Sequence, residues 1–170
     1  EAVGDLTAAV DAWEVAVGLD EDNNEARLRL VSLLRAADPN LRLAEHLRGL
    51  AERDSSPADH WRELAHLFAN SGAPQAERAE PWQKLLIVCP NDLEAHEQLA
   101  GILWKSGDRL AALPHLEVMA TVRAPRAKTW KRLAGCRRDS GDVYGEIAAL
   151  TQVIALESQD QEIRKRLANS

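Results

Sequence analysis

Aromatic residues are scarce, 4 % of 170 positions, with a single Tyr, a single Phe and a single Met. No stretch alternates apolar and polar residues with a period of two, which excludes a sheet built of half-buried strands. Two cysteines, Cys89 and Cys136, form no CxxC and no disulfide framework; each reads as a small buried apolar residue, and a reducing compartment is compatible with them. No apolar run approaches the roughly 20 residues that a helical membrane span needs, and no secretory pattern opens the chain. A cytoplasmic protein is the expectation. Arg outnumbers Lys 16 to 5 in an Ala- and Leu-rich chain, which we read as the mark of a GC-rich bacterial genome.

Catalytic signatures are missing as well. There is no Gly-rich phosphate loop, GxSxG, HExxH or EF-hand pattern. The five histidines, His46, His60, His66, His96 and His115, are scattered over different segments. No nucleophile has a plausible base. The sequence therefore implies no catalytic residue, no metal ligand set and no cofactor, and the chain is read as a non-enzyme. A formal charge of −6 argues against a nucleic-acid partner.

What is present is a beat. Arg27, Trp61, His96, Trp130 and Arg164 are spaced 34, 35, 34 and 34 residues apart. Three residues after each stands a leucine: Leu30, Leu64, Leu99, Leu133 and Leu167. A small or modest residue follows: Val31, Ala65, Ala100, Ala134 and Ala168. Gly4, Gly72, Gly107 and Gly141 keep the same rhythm, 68, 35 and 34 residues apart. A fixed period of this length means stacked supersecondary units, each burying its apolar face on its neighbours.

Every segment reads as a helix. Residues 4–19 carry Leu6, Ala9, Val10, Trp13, Ala16 and Val17 on one stripe, with Asp5 as cap. Further helices are expected at 24–37, about 40–53, through Trp61 to Phe68 with a stop at Ser71-Gly72, and at 75–88, 93–106, 109–122, 126–139 and 143–157, with one more beginning near 160. Asp38-Pro39-Asn40 stands where a Gly turn would be. Pro81 falls inside 75–88 and should bend that helix. All connections are short.

The recurring Trp61-Leu64-Ala65-Phe68 and Trp130-Leu133-Ala134, with Ala9-Trp13-Ala16, Trp82, Pro90 and Ala112 in the second helices, resemble the tetratricopeptide repeat (TPR) signature. Five in-phase copies cover essentially the whole chain. Arg137, where a large apolar residue is usual, and Glu146, where Ala is usual, depart from it. The resemblance implies an all-α, right-handed superhelical α-solenoid of antiparallel helix pairs. It divides the chain into a second helix at 4–23, repeats at 24–57, 58–92, 93–126 and 127–160, and the start of a further or capping helix at 161–170. Such a chain opens and closes on half repeats, so a fragment of a larger protein, or self-association through helix 4–19, is expected.

The resemblance also implies that a second stripe on each first helix lines a concave groove. Its members are Glu25, Leu28, Arg29, Ser32 and Arg35, then Asp59, Arg62, Glu63, His66 and Asn70. The later copies bring Gln98, Gly101, Trp104 and Lys105, then Lys128, Lys131, Arg132, Gly135 and Arg138. Trp104 is either a contact anchor or packing against the adjoining helix; the other four Trp are assigned to the core. Residues 1–26 hold eight acids and no Lys or Arg, whereas 122–138 hold seven Lys or Arg and no acid. That basic run suits an acidic peptide, a carboxylate or a phosphate, or is simply a solvated face. The Lys/Asn carboxylate clamp of chaperone-binding TPR proteins is absent. The leading reading is a scaffold that binds a protein or peptide through Arg62, His66, Gln98, Trp104, Lys105, Lys128, Lys131, Arg132 and Arg138. The alternative is the substrate-recognition or targeting arm of a larger enzyme, for example a glycosyltransferase, whose catalytic domain lies elsewhere. An RNA-reading helical repeat is disfavoured by the charge.

Overall fold

The structure is a computed structural model and describes residues 2–37, 41–70, 72–122 and 126–168. Among these, nine helices and no strand occur: α1 (Ala2–Leu19), α2 (Asn24–Ala37), α3 (Leu41–Arg53), α4 (Ala58–Asn70), α5 (Gln75–Val88), α6 (Leu93–Ser106), α7 (Arg109–Ala120), α8 (Ala127–Asp139) and α9 (Val143–Ala168). None of the described helices is long and apolar enough to cross a membrane. The chain forms two compact units, 1–90 with α1 to α5 and 91–170 with α6 to α9. Within each unit every helix packs against the next one in the chain, and the short connections make those neighbours antiparallel.

The turns show why the period is legible. Gly72, Gly107 and Gly141 all have positive φ, between 68° and 86°, a conformation that costs a side-chain-bearing residue roughly 1 kcal/mol or more. The polar residue after the turn then caps the next helix. Asp92 accepts from the Ala95 N–H at 2.8 Å, Asp108 from Ala111 at 3.1 Å and Asp142 from Gly145 at 2.9 Å. Asn23 does the same for Ala26 at 2.9 Å. Each satisfies a donor that the helix itself cannot.

The structure corrects three readings of the helix ends. Helix α1 starts at Ala2, so Gly4-Asp5 lies inside it and makes no turn. The glycines at 72, 107 and 141 reverse the chain between two packed helices, whereas Gly4 belongs to one continuous helix. The stop expected after residue 157 is also absent: α9 is one helix of 26 residues. No Gly or Pro follows Gly145, so nothing in the sequence breaks the hydrogen-bond ladder. Helix α7 ends at Ala120, two residues early, where the Thr121 hydroxyl donates to the Val118 carbonyl at 2.7 Å. The reading of Asp38-Pro39-Asn40 lies outside the described residues. Helices α5 and α7 run on through Pro81 and Pro114, each of which forgoes one backbone hydrogen bond. Pro81 is fully buried, so its packing offsets that loss.

The core follows the beat. Leu30, Leu64, Leu99 and Leu133 are all shut off from solvent, and so are Val31, Ala65, Ala100 and Ala134 beside them. A leucine fills the space between paired helices, and the small residue beside it lets the backbones approach. Successive repeats are also laced by ion pairs. Arg35 of α2 meets Glu63 of α4, with Nε to Oε1 at 2.6 Å, and Arg48 of α3 meets Glu80 of α5 at 2.8 Å. Arg109 of α7 meets Asp139 of α8 at 2.9 Å. These pairs are largely exposed and worth about 0–1 kcal/mol each. Burial of the signature leucines contributes more. Leu64→Ala and Leu99→Ala should each cost about 2–5 kcal/mol, read as a lower urea midpoint; a midpoint within error of the natural chain would overturn this account of the core.

Candidate binding face

The stripe assigned to ligand lies on the open side of each first helix. In α2, Glu25, Leu28, Arg29, Ser32 and Arg35 are exposed, while Leu30, Val31 and Leu34 on the other side are buried. In α6, Gln98 and Lys105 are exposed; in α8, Lys128, Lys131 and Arg138 are exposed and Arg132 is half-buried. In α4, His66 is exposed and Arg62 half-buried. The same 3.6-residue periodicity that buries one stripe therefore turns the adjoining one outward.

Unit 1 carries a cleft on this side that the sequence did not single out. It has a volume of about 460 Å³ and is lined by Trp13 of α1 and by Glu25, Arg29, Ser32 and Leu33 of α2. Trp13, assigned to the core, is 37 % exposed and forms one wall. Leu33, next to the buried Leu34, is half-buried and also lines the cleft. Helical spacing alone could not separate these two from the core, because an apolar residue at the stripe's margin looks the same whether or not a neighbour covers it. In the same unit, the His66 ring stands edge-on to Trp82, with centroids 5.2 Å apart. Arg62 pairs with Asp59 at 3.2 Å on its own helix.

In unit 2 the structure sets Arg132, of the assigned residues, against Trp104. Its ring packs over α8 at Gly135, where an added Cβ would come within 2.8 Å of the ring edge. Arg109 and Arg132 place their guanidinium groups 4.8 and 5.7 Å from the ring centroid. Trp104 also packs against the core cluster of Ala100, Leu116 and Leu133. The ring is thus half-buried and engaged on several sides. Of the two readings of Trp104, packing against the adjoining helix is what the contacts describe. Gly135 creates the space; no atom comes within 4 Å of a Cβ added at Gly101.

The basic run is largely answered by acids within its own unit. Arg126 pairs with Glu97 at 3.1 Å, Lys131 with Glu157, and Arg137 with Glu117 at 3.5 Å. Arg138 pairs with Glu146, its Nε 2.7 Å from Oε1, and that hydrogen bond raises its pKa further. Lys105 and Lys128 are exposed with no ion pair among the described residues. Arg123 lies outside them. The two departures from the repeat signature find their reason here. Glu146 receives Arg138, and Arg137 donates to the Gly145 carbonyl at 3.1 Å while reaching Glu117, tying α8 to both α7 and α9.

Little on the described surface suggests bond chemistry. No group of three or more His, Cys, Asp or Glu among the described residues could hold a metal ion. Cys136 is buried and its thiol is pushed up by that burial, away from the reactive thiolate.

These features define a class: an all-α repeat protein of stacked helix hairpins with an exposed face along its first helices. Its fold is that of the tetratricopeptide repeat proteins. The chain is similar to the crystal structure of MamA, with a TM-score of 0.56 and 16 % identity over 94 % of this chain and 92 % of that one. It is also similar to YrrB, solved as a TPR protein with an unusual peptide-binding site, with a TM-score of 0.58 and 14 % identity over 92 % of this chain and 80 % of that one. No family model and no curated protein sequence matches the chain.

The packing of Trp104 generates a test. Gly135→Ala should displace the indole, red-shift the tryptophan emission and lower the unfolding free energy by about 1–3 kcal/mol, the range for an overpacked contact, read as a lower urea midpoint. An unchanged emission maximum and midpoint would place the ring elsewhere.

Proposed function

We propose that this chain is a non-enzymatic protein-interaction scaffold that holds a peptide or protein segment along the open face of its first helices. The observation that carries this reading is the separation of the two stripes: one is buried in the hairpin core, and the adjoining one presents polar and apolar groups to a partner. The repeats at 24–57 and 58–92 would supply such a face in one unit, and those at 93–126 and 127–160 in the other. The shared fold with YrrB, a TPR protein with a peptide-binding site, supports it. Arg62, His66, Gln98, Lys105, Lys128, Lys131, Arg132 and Arg138 are the proposed contacts. Trp104 contributes chiefly by holding Arg132 and Arg109 in place. The cleft at Trp13, Glu25, Arg29, Ser32 and Leu33 adds an aromatic wall and a guanidinium that makes no ion pair among the described residues.

An acidic preference rests on Lys105 and Lys128, because the other described cations of the basic run already have carboxylates or, for Arg132, the Trp104 ring. Peptides selected from a random display library against the natural chain should bind at least tenfold more weakly to Trp13→Ala/Arg29→Glu or to Lys128→Glu, with unchanged urea midpoints. Undiminished binding to both variants would remove this face as the site. Exposed Trp13, Val15 and Leu19 on α1 favour a second mode, self-association through residues 4–19. Sedimentation should then show a mass that rises with concentration and falls back in Val15→Glu/Leu19→Glu; a single monomer mass at all concentrations would exclude it.

A further inference from the structure

Two of the helix hairpins are closed by equivalent buried pairs. Arg27 in α2 and His46 in α3 stand 19 residues apart, and so do His96 in α6 and His115 in α7. Arg27 and His96 are each 7 % exposed, His46 is buried and His115 half-buried. All four are groups that carry, or can take up, a positive charge. At the equivalent places the other two hairpins have Trp61 with Pro81, the turn before α5 being one residue longer, and Trp130 with Ala149. Neither of those pairs changes charge near neutral pH.

The geometry sets the protonation. Arg27 Nη1 lies 3.4 Å from His46 Nδ1. A guanidinium has only donors, so that ring nitrogen must keep its lone pair. Of the other guanidinium nitrogens, Nη2 donates to the Glu21 carbonyl at 2.9 Å and Nε is buried without a partner; Nη1 itself stands 2.6 Å from where a Cβ on Gly49 would be. In the second pair, His96 Nδ1 and His115 Nδ1 are 2.9 Å apart. One donates and the other accepts, so at least one imidazole must be neutral. Protonating both would turn both facing nitrogens into donors.

We infer that the α2–α3 and α6–α7 hairpins are acid-labile clasps, which loosen as His46 and the His96–His115 pair are protonated, while α4–α5 and α8–α9 keep their packing. The surroundings agree. Burial and then Arg27 hold the His46 imidazole below its ordinary range, and Arg42 adds to this; Glu45 on its own helix and Glu14 from α1, 4.0 Å from Nε2, oppose it. No charge on α4 enters. Burial and then His96 hold His115 down likewise. From α8, Arg137 and Asp139 pair with Glu117 and Arg109 of α7. A histidine with a lowered folded-state pKa takes up its proton more readily in the unfolded chain. Its stabilisation is complete above the unfolded value of about 6.5 and is lost as pH falls below it.

The test is urea unfolding of the full chain from pH 7.5 to 5.0, above the range where most carboxylates titrate. The folding constant should fall by up to about tenfold per pH unit for each such histidine once below pH 6.5. In His46→Gln/His115→Gln that slope should vanish, since a Gln amide can still accept from Arg27 and donate to His96. A slope equal to that of the natural chain would overturn the inference. Should the variant not fold, imidazole NMR of the natural chain decides. Rings of His46 and His115 that titrate below free imidazole support the clasps; both titrating at the free-imidazole value overturns them.

Discussion

Burial of one leucine per first helix, beside a residue small enough to let the partner helix close in, is the constraint on which this array rests. Leu30, Leu64, Leu99 and Leu133 are each completely covered. No single hairpin could shield such a residue from every side; α2, α4 and α8 each pack against the last helix of the preceding repeat as well as against their own hairpin partner. The ion pairs at related spacing, Arg35 with Glu63 and Arg109 with Asp139, follow from the same register. They are consequences of stacking and contribute less than the leucines.

That register also organises the surface. A helix that commits Trp61, Leu64, Ala65 and Phe68 to the core must turn Arg62 and His66 toward its margin. The basic residues of α8 are presented in the same way, yet the protein neutralises most of them with Glu97, Glu117, Glu146 and Glu157. A charge run read along the chain thus becomes, in three dimensions, a lattice of pairs with a few exposed cations between them. Lys128 and Lys105 differ from those neighbours in having no ion pair among the described residues.

The hairpins are alike in backbone and unlike in what closes them. Tryptophan or alanine side chains close two of them with interactions indifferent to pH. Arg27 with His46 and His96 with His115 close the others with polar contacts that demand a particular protonation state. In a repeat array each hairpin's stability is partly its own, so such local differences need not be averaged away.

The sequence by itself determined the helices, their period and the buried stripe. Those depend on spacing along one helix and on turn chemistry: Gly107 in the left-handed region and Asp108 capping the next helix could be read without any partner. The exposed stripe could be read too, as the complement of the buried one. Only the tertiary structure decided what happens at the margins. Trp13 and Trp104 are both tryptophans beside a core stripe; one walls an open cleft, whereas the other is held between Gly135 and two arginines. Gly4-Asp5 stands at a turn position of the repeat, and the period called for another turn near residue 158, yet both run helical. Side chains at a margin are placed by residues about one repeat away, and no local pattern records whether those residues come within reach.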